Sequence, residues 1–175
     1  ETLFRQENAP ASYPAPPSNL SSDAANVSAA AVWSRIEGWI KHRWSERSVT
    51  WVVQGAGEWV PELKPFTLDN AEIWRDGAYE SITLTQGPLG YVLDYGTYRI
   101  TGTVGVNEVP PEPVMEAYRR YAEYVADTSD IGYVATSGTQ NIDGAFSVSA
   151  DRPASWQARA IHYSGAADLL RAWRS

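Results

Sequence analysis

The spacing of apolar residues changes period along the chain, and the changes mark out its elements. Over residues 23–44, Val32, Ile36, Trp39 or Ile40, and Arg43 or Trp44 recur at intervals of three and four, which is the repeat of one helix face. Ser22 or Asp23 stands where a cap is needed, because a short side-chain oxygen accepts from first-turn amides that lack a partner. Glu37 and Lys41 add an oppositely charged pair four residues apart. A helix of roughly 33 Å is expected. From Ser48 the period drops to two: Val49-Thr50-Trp51-Val52-Val53 is β-branched and aromatic, and Gly55-Ala56-Gly57 reads as the turn that ends a strand. Residues 71–75 and 79–84 flank Asp76-Gly77, a pair that takes the positive φ angles of a tight hairpin. Gly87-Pro88-Leu89-Gly90 and Tyr95-Gly96 punctuate two further strands, at 91–94 and 98–104.

Pro110, Pro111 and Pro113 open a second helix over 111–127, with Val114, Tyr118, Tyr121 or Ala122, and Val125 on one face. Glu112 and Glu116 suit its positive end, and Glu116 is spaced to pair with Arg120. Residues 129–152, rich in Gly, Ser, Thr, Asn and Asp, read as a flexible loop holding at most a short strand at 146–148. Pro153 can begin a helix through Tyr163, and Ser164-Gly165 separates it from the tail Leu169-Leu170-Arg171-Ala172-Trp173-Arg174. At the other end, residues 1–22 read as an arm, since residues 8–22 hold four prolines and no charge and favour an extended, polyproline-like path. The expected fold class is α+β: a small bundle of two long helices (23–44 and 111–127), an antiparallel β insertion between them (48–107), and a C-terminal helix and tail (153–175). Residues 23–128 form its core.

Composition narrows the chemistry. The 175 residues contain no cysteine and two histidines, His42 and His162, so no disulfide frame, thiol nucleophile or Cys/His zinc site can be built. No cofactor or metal site is expected. No run approaches the roughly 20 apolar residues of a membrane helix, and none resembles a signal peptide, so a chain without membrane partners is expected. The net charge of −7 is uneven: residues 48–151 hold fifteen acidic and five basic groups, residues 152–175 one acidic and four basic. An acidic body repels nucleic acid, whereas the basic end seeks an acidic protein surface. Twelve arginines to two lysines, with eight tryptophans, suit desolvated protein contacts.

Catalytic motifs are hard to find. Gly55-Ala56-Gly57 lacks the third glycine and the strand-to-helix setting of a dinucleotide loop, and no Gly-Lys-Ser/Thr phosphate loop or Gly-x-Ser-x-Gly elbow occurs. His42 reads as a surface residue at the negative end of the first helix. Asp69, Glu72, Asp76 and Glu80 straddle a hairpin, where a carboxylate pair for glycoside hydrolysis competes with plain solvated positions. Trp51, Trp59 and Trp74 lie in the β segment, so an aromatic-rich carbohydrate-binding module or glycosidase-like protein is the alternative function. Packing against the tryptophans of the first helix is the structural reading of the same residues.

The order of segments resembles the phage head-tail connector family of long-tailed phages and gene transfer agents. Val32-Trp33-Ser34-Arg35-Ile36-Glu37-Gly38-Trp39-Ile40 followed by Arg43-Trp44 is similar to that family's first long helix. Val49-Thr50-Trp51, Ile73-Trp74-Arg75-Asp76-Gly77 and Tyr98-Arg99-Ile100-Thr101-Gly102-Thr103-Val104-Gly105 resemble its β insertion. Val109-Pro110 before the second helix, and Leu169-Leu170-Arg171-Ala172-Trp173-Arg174 near a Leu-Leu-x-x-Tyr-Arg ending, complete the likeness. It covers about residues 29–126 and the last seven, and departs at the proline-rich front. The resemblance implies a non-enzymatic adaptor in the virion neck, assembled in the host cytoplasm as a ring of about twelve copies, with a closed head-to-tail interface between neighbours. Its partners would be the portal protein, neighbouring copies, a stopper or tail-terminator protein, and genomic double-stranded DNA passing without sequence-specific binding. The same resemblance implies portal contacts through Trp156, Arg159, Leu169, Leu170, Arg171, Trp173 and Arg174.

Overall fold

The single long helix expected over 23–44 does not form. In the computed structural model, which describes residues 1–129, 137–142, 146–151 and 156–174, α1 (Ser22–Asn26) is capped by Ser21 and ended by Val27, which turns extended at φ −68° and ψ 136°. Ser28 then caps α2 (Ala29–Trp39), accepting from the Ala31 amide, and Ile40 leaves the helix at φ −114°, ψ 168°. Serines that hydrogen-bond nearby amides stop and restart helices in this way. The apolar spacing that carried the pattern on to Trp44 is coincidental: residues 41–43 run beside Lys64, with Arg43 N donating to Lys64 O at 2.8 Å and Lys64 N to Lys41 O at 2.9 Å. Ending α2 at Trp39 also leaves Lys41 outside the helical spacing that would pair it with Glu37. Among the described residues the architecture is therefore a six-stranded, mostly antiparallel sheet and a separate two-stranded one with five short helices, and the bundle of two long helices is overturned.

Two units divide the chain: a β unit of residues 1–14 and 41–109, and a helical unit of residues 15–40 and 110–175. In the β unit, β1 (Thr2–Glu7), β2 (Arg47–Trp59), β6 (Tyr91–Val104), β3 (Phe66–Arg75) and β4 (Ala78–Ile82) lie side by side in that order, and the short β5 (Thr85–Gln86) pairs with β6. Alternation sets the faces, as period-two side chains must. Val49, Trp51 and Val53 of β2, Ile73 of β3 and Tyr98, Ile100 and Val104 of β6 point into one buried cluster. Trp51 and Trp59 meet there at 5.4 Å and Trp51 meets Phe66 at 5.0 Å, so these tryptophans fill the sheet's own core.

Gly55-Ala56-Gly57 is not a turn. β2 runs through it to Trp59, and the register against β6 shifts between Gly55 and Gly57, which sit at φ 138° and 99°. Glycines tolerate those angles and here form a β-bulge. Asp76 and Gly77, at φ 46° and 85°, make the tight β3–β4 turn.

The front of the expected arm is a strand. β1 pairs antiparallel with β2, Gln6 opposite Thr50 and Glu7 opposite Val49. Its far end is tied by charge: Glu7 accepts from Arg43 Nε at 2.6 Å and Nη2 at 3.1 Å, and from Arg47 Nη1 at 3.3 Å. The polar front of the chain carried no period-two apolar signal, because an edge strand of this kind is held by its backbone and its terminal carboxylate. Residues 8–14 continue without helix or strand, and Tyr13 lies under the Arg47 guanidinium at 5.5 Å.

The helical unit is built on α3 (Glu112–Ser129). Val114, Ala117, Tyr118, Ala122 and Ala126 make its buried stripe, and Trp33 of α2 packs on Tyr118 at 4.9 Å. Ser21 donates its N–H and its hydroxyl to the Glu123 carboxylate at 2.8 and 2.7 Å, tying the α1 cap to α3. Within the span expected as a flexible loop, β7 (Ser137–Ile142) and β8 (Phe146–Asp151) pair antiparallel, because polar and small residues still pair through their backbones. Residues 130–136, 143–145 and 152–155 lie outside the described residues, as does the helix start expected at Pro153. Among the described residues no helix is long and apolar enough to cross a membrane.

Candidate functional site

The tail is built from α4 (Trp156–Tyr163), α5 (Ala166–Leu169) and a 3-10 turn (Arg171–Trp173). Gly165, at φ 75°, makes the break between the helices, where a side chain would be strained. Ser164 N donates to Ala160 O at 2.9 Å, and the Ser164 hydroxyl to Ile161 O at 3.2 Å, so the break is a hydrogen-bonded corner.

The expected docking residues divide by exposure. Leu170 is wholly buried and belongs to the helical core with Ile161 and Ala166. Leu169 and Trp173 are half-buried, while Arg159, Arg171 and Arg174 are exposed. Trp156 opens α4, but its side chain lies outside the described residues.

Sequence reading missed the seat on which the tail rests. The Arg174 guanidinium lies 4.3 Å from the Trp39 ring, and His162 meets that ring edge-on at 4.6 Å. A cation over an indole is attracted by the ring's negative face, so Arg174 is held at the end of α2. Beside it, Ala31, Ser34, Arg35, Gly38 and Trp39 line an open cleft of about 580 Å³. No signal linked Trp39 to Arg174, because the two are brought together only by the packing of α4 and α5 on α3. The arrangement sets an arginine and a histidine around one indole beside an open cleft.

Of the four carboxylates weighed for glycoside hydrolysis, Asp76 stands in the β3–β4 turn and the other three have partners. Asp69 accepts from the Thr103 hydroxyl at 3.0 Å, Glu72 from Arg99 Nε at 2.5 Å, and Glu80 stands 4.0 Å from Arg75. The Arg99 hydrogen bond holds Glu72 below the usual carboxylate range, the opposite of what a general acid needs. Glu80 is opposite Ile73 on the pleat while Glu72 is opposite Ser81, so the two point to different faces. His42 is not on a helix; its ring packs on Trp44 at 4.7 Å and its Nε2 is 3.2 Å from Glu108. Among the described residues no cluster of three or more His, Asp or Glu could hold a metal ion. Comparison with known proteins adds no family: no protein-family model, curated protein or solved structure matches the chain.

Proposed function

We propose that the chain is a structural head-to-tail adaptor of a tailed phage, one copy of a ring of about twelve that sits between the portal and the next neck or tail protein and extends the DNA channel. The observation that carries the reading is the interrupted helical unit. Residues 15–40 and 110–175 make one unit although residues 41–109, the larger part of the β unit, come between them in the chain, and this order of helix, β segment, helix and basic tail is the one on which the family resemblance rests. The four basic and one acidic groups of residues 152–175 support an acidic portal surface as the partner of the tail. Docking then falls to the exposed Arg159, Arg171 and Arg174 and the half-buried Trp173, while Leu170 stays in the core and holds the tail's root.

The test cuts the chain after Leu170, which spares the buried leucine. The shortened protein should keep its helix and sheet content by circular dichroism yet be lost from portal-bearing particles. Images of particles with the full chain should place it as a closed ring at the neck. Normal retention of the shortened protein would refute the docking role. Density for the chain only in the shell or tail tip would refute the adaptor itself.

A further inference from the structure

Three tryptophans of the β unit, Trp44, Trp51 and Trp59, are buried; Trp74 is 47% exposed. It lies on the outward face of β3 and meets Tyr79 of β4 nearly perpendicular, at 4.9 Å and 68°. Tyr79 is covered by the Arg99 guanidinium at 4.1 Å, and Arg99 is fixed in turn by Glu72. The result is a braced aromatic step, with one indole held rigid and open to solvent.

Two cross-strand rows run from this step over the same face. Phe4, Val52, Arg99, Glu72 and Ser81 stand opposite one another in register, so one row spans the five main strands. Two residues along each strand, and therefore on the same side, Gln6, Thr50, Thr101 and Asn70 form a row of hydroxyls and amides. Five strands at about 4.8 Å spacing make a strip about 19 Å long.

The charges of these rows are matched, Glu72 with Arg99. The β unit as a whole carries eleven acidic and seven basic side chains, which disfavours a polyanion. Trp, Tyr and Arg also make protein hot spots, but those lie in patches with an apolar centre and about 800 Å² buried per partner. Here the neighbours of the aromatic step are mostly hydroxyls, amides and paired charges. A ligand with flat apolar faces, a rim of hydroxyls and no net charge satisfies all three features.

We propose that the outward face of the β unit binds a neutral polysaccharide, with Trp74 as the stacking platform and the Glu72–Arg99 pair offering its remaining acceptor and donor positions to sugar hydroxyls. This site is independent of the adaptor reading and of the C-terminal tail. Trp51 and Trp59 take no part, being enclosed in the sheet's core.

The test is native affinity electrophoresis of the full chain through gels containing dextran, laminarin, xylan or soluble starch, with alginate as the anionic control. At least one neutral polymer should retard the protein. Trp74→Ala should weaken that retardation roughly tenfold or more, with an unchanged melting temperature, and Trp74→Phe should restore part of it. An unstable Trp74→Ala would be replaced by Ser81→Lys, which places a bulky charge on the strip. Three results would overturn the proposal: no retardation by any neutral polymer, retardation by alginate alone, or retardation unchanged in these variants. Loss of Trp74→Ala protein from particles with no polysaccharide effect would make the face a protein interface instead.

Discussion

Replacing Glu7 by glutamine tests whether the N-terminal strand belongs to the fold. The Glu7 side chain is 18% exposed and those of Arg43 and Arg47 are 6% and 4% exposed, so the contacts at 2.6–3.3 Å sit in a poorly solvated setting. Glutamine keeps the shape but removes the charge facing two guanidiniums. Breaking a buried pair costs about 3–5 kcal/mol, and the partial exposure of Glu7 places the loss near the lower end, about 3 kcal/mol. For a chain of this size that lowers the melting temperature by roughly 6–12 °C.

The same substitution has a pH signature. Burial pushes the Glu7 carboxyl up, but the Arg43 hydrogen bond and the charges of Arg43, Arg47 and Arg5 more than offset it, leaving the group below its ordinary 4.5. A carboxyl lowered by folding contributes stability that is fully present above its unfolded value and is lost as pH falls through the folded one. Wild-type stability should therefore drop below about pH 4.5, and Glu7→Gln should drop less steeply there. Urea unfolding followed by tryptophan fluorescence between pH 3 and 7 reads both effects. A cost under about 0.5 kcal/mol, with an acid slope parallel to wild type, would refute the clamp.

Gly102→Ala should cost about 2–3 kcal/mol in urea unfolding, because a Cβ there would run into the Phe66 ring and the Thr67 carbonyl. Leu170→Ala should cost about 2–5 kcal/mol in the same assay, as expected for truncating an enclosed leucine, whereas Arg171→Ala should leave stability within about 0.5 kcal/mol. Glu116, held by hydrogen bonds from Arg119 and Arg120, should titrate at about 2 in an NMR experiment on its carboxyl carbon. Because that trio is a third or more exposed and water screens it, Glu116→Gln should cost only about 0.5 kcal/mol, a difference that fades as pH falls from 4.5 towards 2.

Local chemistry was legible where it alone decides the conformation. Asp76-Gly77 needs positive φ at two successive residues and little else, and the turn is where that pair stands. The alternation of Val49, Trp51 and Val53 fixed a strand face because one side of β2 is buried along its length. Three features depended on distant partners and were misread. The apolar repeat through Trp44 mimicked a continuing helix, although Val27 and Ile40 are extended and residues 41–43 run against Lys64. Gly55 and Gly57 read as a strand end, since a bulge and a turn use the same residue type and only pairing with β6 distinguishes them. β1 had no visible pattern because its hold comes from Arg43 and Arg47, some forty residues on. In the tail, charge and aromatic content were readable, but the division between buried Leu170 and exposed Arg171 was not.

The place of residues 41–109, most of the β unit, between α2 and α3 in the chain raises a question of entropy that the ends of this segment answer. Bringing the ends of a flexible segment of about 70 residues together costs about 4 kcal/mol, before any fixed closure term. Here Glu108 N donates to Trp44 O at 3.2 Å and its carboxylate stands 3.2 Å from His42, so the folded β unit returns the chain beside its point of entry. Asn107, at φ 50°, accepts from the Glu46 amide at 2.9 Å and braces the same junction. Most strand pairs of the unit lie within residues 41–109, so it can close on itself before the two helical segments meet. Once closed, the insertion behaves towards α2 and α3 as a short connection, and insertions whose ends lie together are the kind a host unit tolerates. The helical unit can then keep a complete core, from Trp33 on Tyr118 to Leu170, while the inserted sheet presents a face whose composition is free to serve a separate contact.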